Sequence, residues 1–459
     1  MKTSQLFAFV SLLIFYSSHL QAQQNAHVDS LAIKLDDYLT SAVKAGQFNG
    51  TVLVAEKGKI ILQKGYGWKN FSARTLNDVN SIYPIGSLTK PFTAIVILKL
   101  QEVGRLSVND LLSKYIPEQR DADKITLQNL LDHTSGIYDF SHDIPEDDSA
   151  LLSHPIAQQK VLDAFIHRPL EFKPGTQYSY CSSDYFLLGM IIEKVTGMSY
   201  EQVVHQLIFK PLGMQHSGFD FINLIDTAKT TGYKTFEPNK HVLALKWDST
   251  LSRAAGAMYS TTGDLYKWAM AIARKEILTP ASWQQAFTPQ LETYGDGWFI
   301  DTLYGIKYIY HSGGLLGYMS SFRYYPDKDV TVILLNNFGY YDQTLLTVNN
   351  NLSAIVFNKY SWKTKVPVIV DETLLQQYAG AYAINKKDRL IITTKGHQLY
   401  AESTSKNGIP KLPVYAEDES SFYLKDFDAV LTFVRDVDGN VIKIISHENG
   451  KVMEYKKIK

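Results

Sequence analysis

Cysteine is scarce in this 459-residue chain, which contains only Cys181. A single cysteine excludes an internal disulfide, so stability must come from the hydrophobic core. The 12 histidines show neither a His-Glu-x-x-His motif nor paired-cysteine spacing, and no metal site is predicted. The formal net charge is zero, with 46 basic and 46 acidic residues. Electrostatics therefore give no support for nucleic acid or an anionic membrane surface as a partner.

Long hydrophobic runs are also scarce, and the clearest one lies at the N-terminus. Met1-Lys2 precedes an apolar run over Leu6–Tyr16, which is followed by small and polar residues up to Ala22. This pattern predicts a secretory signal peptide over residues 1–22, cleaved near Ala22 or Gln23. An uncleaved N-terminal anchor is the alternative, but the run is short for a bilayer span. We expect an exported protein, periplasmic or secreted, without a stable membrane anchor after cleavage.

Residues 27–358 alternate between helical and strand patterns, in a chain that is 45% hydrophobic and 20% charged. Such a composition is typical of a folded globular protein. Apolar residues at Leu31, Ile33, Leu35, Leu39 and Val43 predict a helix over Asp29–Ala45 that packs on one side. The other main elements predicted are two strands within Gly50–Leu62, helices over Pro91–Val103 and Tyr185–Val195, and a strand over Thr331–Leu335.

A connector at residues 359–370, with Lys363, Lys365 and Pro367, separates this stretch from a different pattern. Asp438-Gly439 and Asn449-Gly450 are predicted hairpin turns, because Gly and Asn tolerate positive φ. We interpret 371–459 as a small all-β domain. Its predicted strands are Arg389–Thr394, Gln398–Ala401, Ala429–Val434, Val441–Ser446 and Val452–Tyr455.

Ser87-Leu88-Thr89-Lys90 is the first candidate for chemistry, because residues three apart on a helix lie on one face. A lysine amine with a lowered pKa can accept the serine proton, which makes the hydroxyl a nucleophile. The same spacing occurs at Ser41 and Ser403, but only Ser87 follows a glycine and opens a strongly apolar helix. The alternative is that Ser87 only caps that helix. Pro91 lacks an N–H and is expected to strain the first turn.

Tyr180-Cys181-Ser182, directly before the second apolar helix, is the next candidate. A tyrosine at such a junction can act as general acid and base if a nearby lysine favours its ionised form. The alternative is that Tyr180 packs like the neighbouring Tyr178 and Tyr185. Cys181 is predicted to pack, since no motif around it supplies a base.

His311-Ser312-Gly313-Gly314 follows the strand pattern Tyr308-Ile309-Tyr310. Glycines there would let a substrate backbone approach the strand edge, and a backbone N–H beside them can complete an oxyanion hole. The alternative is a tight turn with a surface histidine, and His-x-Gly also occurs at His216.

In order and spacing, these motifs resemble the serine β-lactamase and penicillin-binding protein family, in its class C-like branch. The resemblance covers residues 30–358. It implies an α/β (α+β) fold in which an antiparallel sheet and a helical subdomain flank the site. Tyr378-Ala379-Gly380-Ala381-Tyr382 resembles the start of the lipocalin-like modules appended to many members. Further segments that agree are Phe48-Asn49-Gly50, Leu130-Leu131-Asp132-His133-Thr134-Ser135-Gly136, Ala255-Gly256, Ser260-Thr261-Thr262-Gly263-Asp264 and Tyr294-Gly295-Asp296-Gly297-Trp298.

The resemblance implies acyl transfer without a cofactor, acting on a peptide or small molecule. Ser87 would be the acylated nucleophile, and Lys90 its proton partner. Tyr180 would be the general base and then the acid toward the leaving group. Backbone N–H groups of Ser87 and Gly314 would form the oxyanion hole. Gly313 and Gly314 would contact the substrate.

Two residues depart from the common family pattern. Ser182, which would hydrogen-bond Lys90 or the substrate amide, replaces the usual asparagine and offers one hydroxyl instead of a carboxamide. His311 stands where many members have lysine, and its charge is expected to vary near neutral pH. Both departures weaken the case for a dedicated β-lactamase. A peptide with a D-amino acid is the first substrate expected, and a small ester the second.

Two further alternatives concern catalysis itself. The core could have lost catalysis and act as a sensor of cell-wall fragments, although its serine, lysine and tyrosine are all present. His133 suggests a Ser-His-Asp triad, but the chain has no Gly-x-Ser-x-Gly elbow, and a structural role is predicted for His133. The sequence leaves the oligomeric state open.

Overall fold

A computed structural model of the protein describes residues 28–44, 46–145, 147–237, 240–339, 343–359, 367–385, 388–404, 411–424, 429–448 and 451–458. These residues divide into two compact units. One holds the described residues up to Thr302 together with Ile306–Leu345, and the other holds Leu303–Gly305 and the described residues from Leu346 onward. The predicted signal peptide, most of the predicted connector and the Asn449-Gly450 turn lie outside the described residues.

A six-stranded antiparallel sheet forms the centre of the first unit, with spatial order β2-β1-β6-β5-β4-β3. The first strand pairs with both β2 and β6, and Gly50 lies opposite Asn336. Strands from residues 50–66 and 299–336 thus form one sheet, and no local sequence pattern predicts this pairing. The strands are β1 Gly50–Glu56, β2 Lys59–Tyr66, β3 Phe299–Leu303, β4 Ile306–Leu315, β5 Tyr318–Tyr325 and β6 Val330–Asn336.

Five longer helices occur in the described residues up to 359: α1 28–44, α2 Lys90–Glu102, α3 Ser182–Thr196, α4 Thr262–Ala273 and α5 Gln343–Val356. The apolar α2 is buried on nearly all sides and packs against α3, as an all-round hydrophobic helix must. By contrast, α4 packs on β1 and β6. Shorter helices are Leu127–Leu131, Ser149–Leu152, Gln158–Asp163, Tyr200–Val204, Lys210–Leu212, Ser249–Ser252 and Pro280–Ala286.

The buried face of α1 differs in detail from the predicted one. Leu31, Leu35 and Leu39 are buried as expected, but Ile33 is 62% exposed. Tyr38 and Ala42 complete the buried face instead. Spacings of three, four and seven residues select one side of a helix, and Ile33 lies two positions from Leu31 and Leu35, off that side.

Eight strands among the described residues of the second unit close into an antiparallel barrel. Closure pairs the first strand with the last, with Tyr382 opposite Lys457. Helix α6, Glu372–Tyr378, contributes Leu375 and Tyr378 to the barrel core, where Tyr378 stacks on Phe433 at 4.2 Å. The strands are Gly380–Ala383, Arg389–Lys395, Gln398–Ser403, Leu412–Ala416, Ser421–Leu424, Ala429–Arg435, Val441–Glu448 and Lys451–Lys457.

The fold class predicted from the sequence is confirmed, with an α/β core and a C-terminal all-β domain. Ser403, which also precedes a lysine by three residues, ends a barrel strand. Among the described residues, no helix combines the length and apolar character needed to span a membrane.

Candidate active site

The turn that carries Ser87 is a single 3₁₀ turn, Gly86–Thr89, which runs directly into α2. Gly86 has a φ of 53°, in the left-handed region that favours glycine. The Thr89 hydroxyl donates to the Gly86 carbonyl at 2.7 Å and holds the turn closed. Pro91 lies in the first turn of α2, where its missing N–H has no helical partner to lose. The expectation of strain at Pro91 is therefore wrong.

Lys90 is fully buried and donates two hydrogen bonds from Nζ. One goes to Ser87 Oγ at 3.1 Å and the other to the Ala255 carbonyl at 2.9 Å. Burial lowers the pKa of Lys90 to about 8, although the nearby Asp139 and Asp184 act in the opposite direction. A substantial fraction of the amine is therefore neutral slightly above neutral pH, which is the state that can accept the serine proton.

Tyr180, in the loop before α3, and Ser182 lie in the same part of the structure as Ser87. The Tyr180 ring lies 4.8 Å from Lys90 Nζ and 4.5 Å from the His133 ring, measured to the ring centroid. Ser182 is the first residue of α3. Within the described residues the Ser182 hydroxyl makes no hydrogen bond to Lys90, whereas its backbone N–H donates to Asp139 at 3.0 Å.

His311 in β4 is 1% exposed and bonded at both ring nitrogens. Nδ1 lies 2.6 Å from the Ser312 carbonyl, which can only accept, so Nδ1 carries the proton. Nε2 then accepts from the Tyr294 hydroxyl at 3.1 Å. Burial, followed by the charge of Lys90, lowers the pKa of His311 to about 3. The expectation that its charge varies near neutral pH is wrong, because the ring is neutral there.

The backbone after His311 lies very close to the turn that carries Ser87. A Cβ on Gly313 would lie 1.9 Å from the Ile85 carbonyl oxygen and 2.8 Å from the Ser87 nitrogen. A Cβ on Gly86 would lie 2.9 Å from the Gly314 nitrogen. The nucleophile turn is thus pressed against β4. Glycine is required there by the chain's own backbone, a reason that differs from the substrate approach predicted from the sequence.

A cleft of about 770 Å³ opens over these groups. Lys90 is not part of its lining, but it bonds to the Ser87 hydroxyl, which is. The predicted site residues in its lining come from the turn before α2, the region where α3 begins and the end of β4, so three distant segments converge. Of the predicted site residues, those that line it are Ser87, Tyr180, Ser182, His311, Gly313 and Gly314.

Asp139 is a cleft residue that the sequence reasoning missed. It is 6% exposed and accepts hydrogen bonds from the backbone N–H groups of Ser182 at 3.0 Å and Ser141 at 2.9 Å. The carboxylate thereby fixes the start of α3 beside Ser87. An aspartate two residues before a serine is a capping signal that could have been noticed, although it does not predict the contact with Ser182.

His133 belongs to a second buried group behind Tyr180. Its Nδ1 lies 3.1 Å from Asp184 Oδ2, and Ser135 donates to the other carboxyl oxygen at 2.5 Å. Burial raises the pKa of Asp184 well above its usual value and lowers that of His133. The Ser87 hydroxyl bonds to Lys90, and this geometry differs from that of a Ser-His-Asp triad.

Cys181 is 3% exposed in the same core, where its Sγ donates to the Ile137 carbonyl at 3.3 Å. Burial raises the pKa of its thiol well above the usual value. A thiol in that state is a weak nucleophile, and the packing role predicted for Cys181 fits this environment.

The fold and this cleft define a protein of the penicillin-binding and β-lactamase class. The family model described as Beta-lactamase matches residues 35–351, and the chain belongs to that family. The family includes serine hydrolases such as D-amino acid amidases.

The chain is similar to a curated relative in sequence and to two solved structures in fold. Penicillin-binding protein 4* of Bacillus subtilis (strain 168) is 27% identical over 441 residues, which cover 89% of this chain and 94% of that protein. The octameric penicillin-binding protein homologue from Pyrococcus abyssi aligns with a TM-score of 0.66 at 24% identity, over 92% of this chain and 99% of its own. The D-amino acid amidase from Ochrobactrum anthropi SV3 complexed with L-phenylalanine aligns with a TM-score of 0.63 at 22% identity, over 72% and 98% of the two chains.

Proposed function

We propose that the protein is an exported serine hydrolase that forms an acyl-enzyme on Ser87. The observation that carries this proposal is the hydrogen bond of 3.1 Å between Ser87 Oγ and a fully buried Lys90 whose pKa is lowered to about 8. A serine at a helix start needs no buried lysine to cap the helix. Burying a charged amine costs several kcal/mol, and groups with a pKa perturbed in this way cluster at functional sites.

The chemical step is a nucleophilic substitution at a carbonyl. Ser87 Oγ forms a bond to the carbonyl carbon while its proton passes to the Lys90–Tyr180 pair. The C–N or C–O bond then breaks, and the pair returns that proton to the leaving nitrogen or oxygen. Water attacks the resulting ester by the same route in reverse, and this frees the acid and restores Ser87.

Negative charge on the carbonyl oxygen would be stabilised by the backbone N–H groups of Ser87 and Gly314. The 2.9 Å between the Gly314 nitrogen and the Cβ position of Gly86 supports their closeness. Both donors belong to rigid elements, the turn before α2 and the strand β4. Preorganised donors of this kind stabilise an oxyanion without reorganisation during the reaction.

Amides and peptides of D-amino acids are the substrate class that we favour, and small esters come second. The similarity to the D-amino acid amidase concerns the fold alone, so the choice between substrates depends on the residues of the site. A neutral His311 attracts a substrate carboxylate less strongly than the lysine found in many members. A β-lactam, which carries such a carboxylate, is accordingly expected to react more slowly than an uncharged amide or ester.

The test is the intact mass after incubation with a fluorophosphonate and, separately, with a labelled penicillin. Wild type should form an adduct that maps to Ser87, and Ser87→Ala should form none. Ser41→Ala is the matched control, because Ser41 also precedes a lysine by three residues but lies in α1. A folded wild type without any adduct would refute the proposal and favour the sensor role.

A further inference from the structure

A second cavity, of about 250 Å³, adjoins the catalytic cleft. We call it the apolar annex. Trp247, Gly256 and Leu315 line both cavities, so a molecule held at Ser87 can extend from one into the other. The other large aliphatic and aromatic residues of the annex wall are Phe221, Ile222, Leu243, Leu245, Leu316 and Tyr318.

Polar groups of the annex wall are largely engaged elsewhere. The Tyr318 hydroxyl donates to the Thr230 carbonyl at 3.0 Å, and the Tyr318 and Phe221 rings meet edge to face at 5.6 Å. Lys229 Nζ donates to the Ile222 carbonyl at 2.7 Å, and Lys246 is solvent-exposed. The wall therefore offers ring faces and aliphatic side chains to a ligand.

Two of the aliphatic residues expose apolar surface to solvent, and a bound ligand would cover that surface. Leu243 is 60% exposed and Leu245 is 36% exposed. Contact with an apolar group removes such surface from water, which is favourable in proportion to the area covered. Clustered exposed apolar residues next to a cleft are typical of binding sites.

The position of the annex along β4 indicates which part of a substrate it would hold. His311 lies beside Tyr180, with ring centroids 6.2 Å apart. Leu315, at the annex, lies four residues further along the strand, about 13 Å away at the usual rise. Tyr180 returns a proton to the leaving group in the proposed mechanism, so the leaving group lies on the His311 side. The acyl side then faces Leu315.

We propose that the annex binds an apolar group on the acyl side of the substrate, an aromatic ring or a branched aliphatic chain. This inference rests on the proposed function and deepens it, because it names the substrate's acyl class. A cavity of about 150 Å³ is enough to hold benzene, so 250 Å³ accommodates a ring with a short linker.

Two p-nitrophenyl esters test the proposal, because their leaving group is identical. The kcat/KM of p-nitrophenyl phenylacetate should exceed that of the acetate by about tenfold or more, as one well-placed apolar increment can provide. Leu245→Asp should remove most of this preference by lowering the kcat/KM of the phenylacetate. Val242→Asp is the matched control, because Val242 is 39% exposed on the same segment and does not line the annex.

Equal kcat/KM values for the two esters in wild type would overturn the proposal, as would a preference that survives Leu245→Asp. If neither ester is hydrolysed and Ser87 forms no adduct, the proposed function fails instead. Binding of phenylacetamide to folded Ser87→Ala, by calorimetry, still decides the annex in that case. Weaker binding after the added Leu245→Asp supports it, and unchanged or absent binding overturns it.

Discussion

The buried Lys90 makes the reactivity of Ser87 dependent on pH in a way that can be calculated. With a pKa of about 8, the neutral amine is about 1% of the total at pH 6 and about 90% at pH 9. If the proton of Ser87 Oγ passes to the Lys90–Tyr180 pair, the rate follows the pair's deprotonated fraction. The labelling rate should then rise about 90-fold between pH 6 and pH 9, with its midpoint near pH 8.

The assay is the second-order rate of fluorophosphonate labelling at Ser87, followed by intact mass from pH 6 to pH 9.5. A fluorophosphonate has no ionisable group in this range, so the profile reports the enzyme. Circular dichroism at each pH establishes that the protein stays folded. The measurement needs no knowledge of the natural substrate.

Lys90→Met should slow the labelling strongly and remove the midpoint near pH 8. Lys99→Met is the control on the same helix, since Lys99 Nζ bonds to Glu102 and the Ile277 carbonyl, away from Ser87. This control should keep the wild-type profile. A flat wild-type profile, or a midpoint above pH 10, would refute the reasoning, because burial would then not have prepared the amine.

Two further perturbations test the site. Gly313→Ala places a Cβ 1.9 Å from the Ile85 carbonyl oxygen, so the turn that carries Ser87 must move. We expect the labelling rate of Ser87 to fall at least tenfold and the free energy of unfolding to fall by about 1–3 kcal/mol. Gly263→Ala in α4, where the nearest heavy atom is 3.5 Å away, should leave labelling unchanged, and equal labelling of the two variants would contradict the close-packing argument. His311 should stay neutral down to about pH 3 in NMR titration; since the unfolded chain protonates near pH 6.5, the contribution of His311 to stability falls as the pH drops from 6.5 toward 3. A His311 midpoint near 6.5 would contradict the buried geometry.

Local sequence determined the elements whose signals are contained within a few residues. Apolar periodicity predicted α1, α2 and α3, and the two strands predicted within Gly50–Leu62 correspond to β1 and β2. The adjacency of Ser87 and Lys90 follows from their spacing of three. Such signals are readable because helix and turn geometry relate only near neighbours.

Three barrel strands were not predicted: Gly380–Ala383, Leu412–Ala416 and Ser421–Leu424. Each is only four or five residues long. The second contains Pro413, and its sequence does not indicate a strand because proline is depleted in strands. Their pairing depends on closure of the barrel, in which Tyr382 meets Lys457 far along the chain. A strand of this kind is stabilised by its neighbours more than by its own residues.

Only the tertiary structure decided the chemistry of the site. It brought Tyr180 and His311 to Lys90, and it buried the lysine and the histidine. Their pKa values follow from that burial, because removing water destabilises a charge by an amount that no spacing of residues encodes. The need for glycine at position 313 also depends on the tertiary structure. The backbone that leaves no room for a side chain there lies more than 200 residues earlier in the chain.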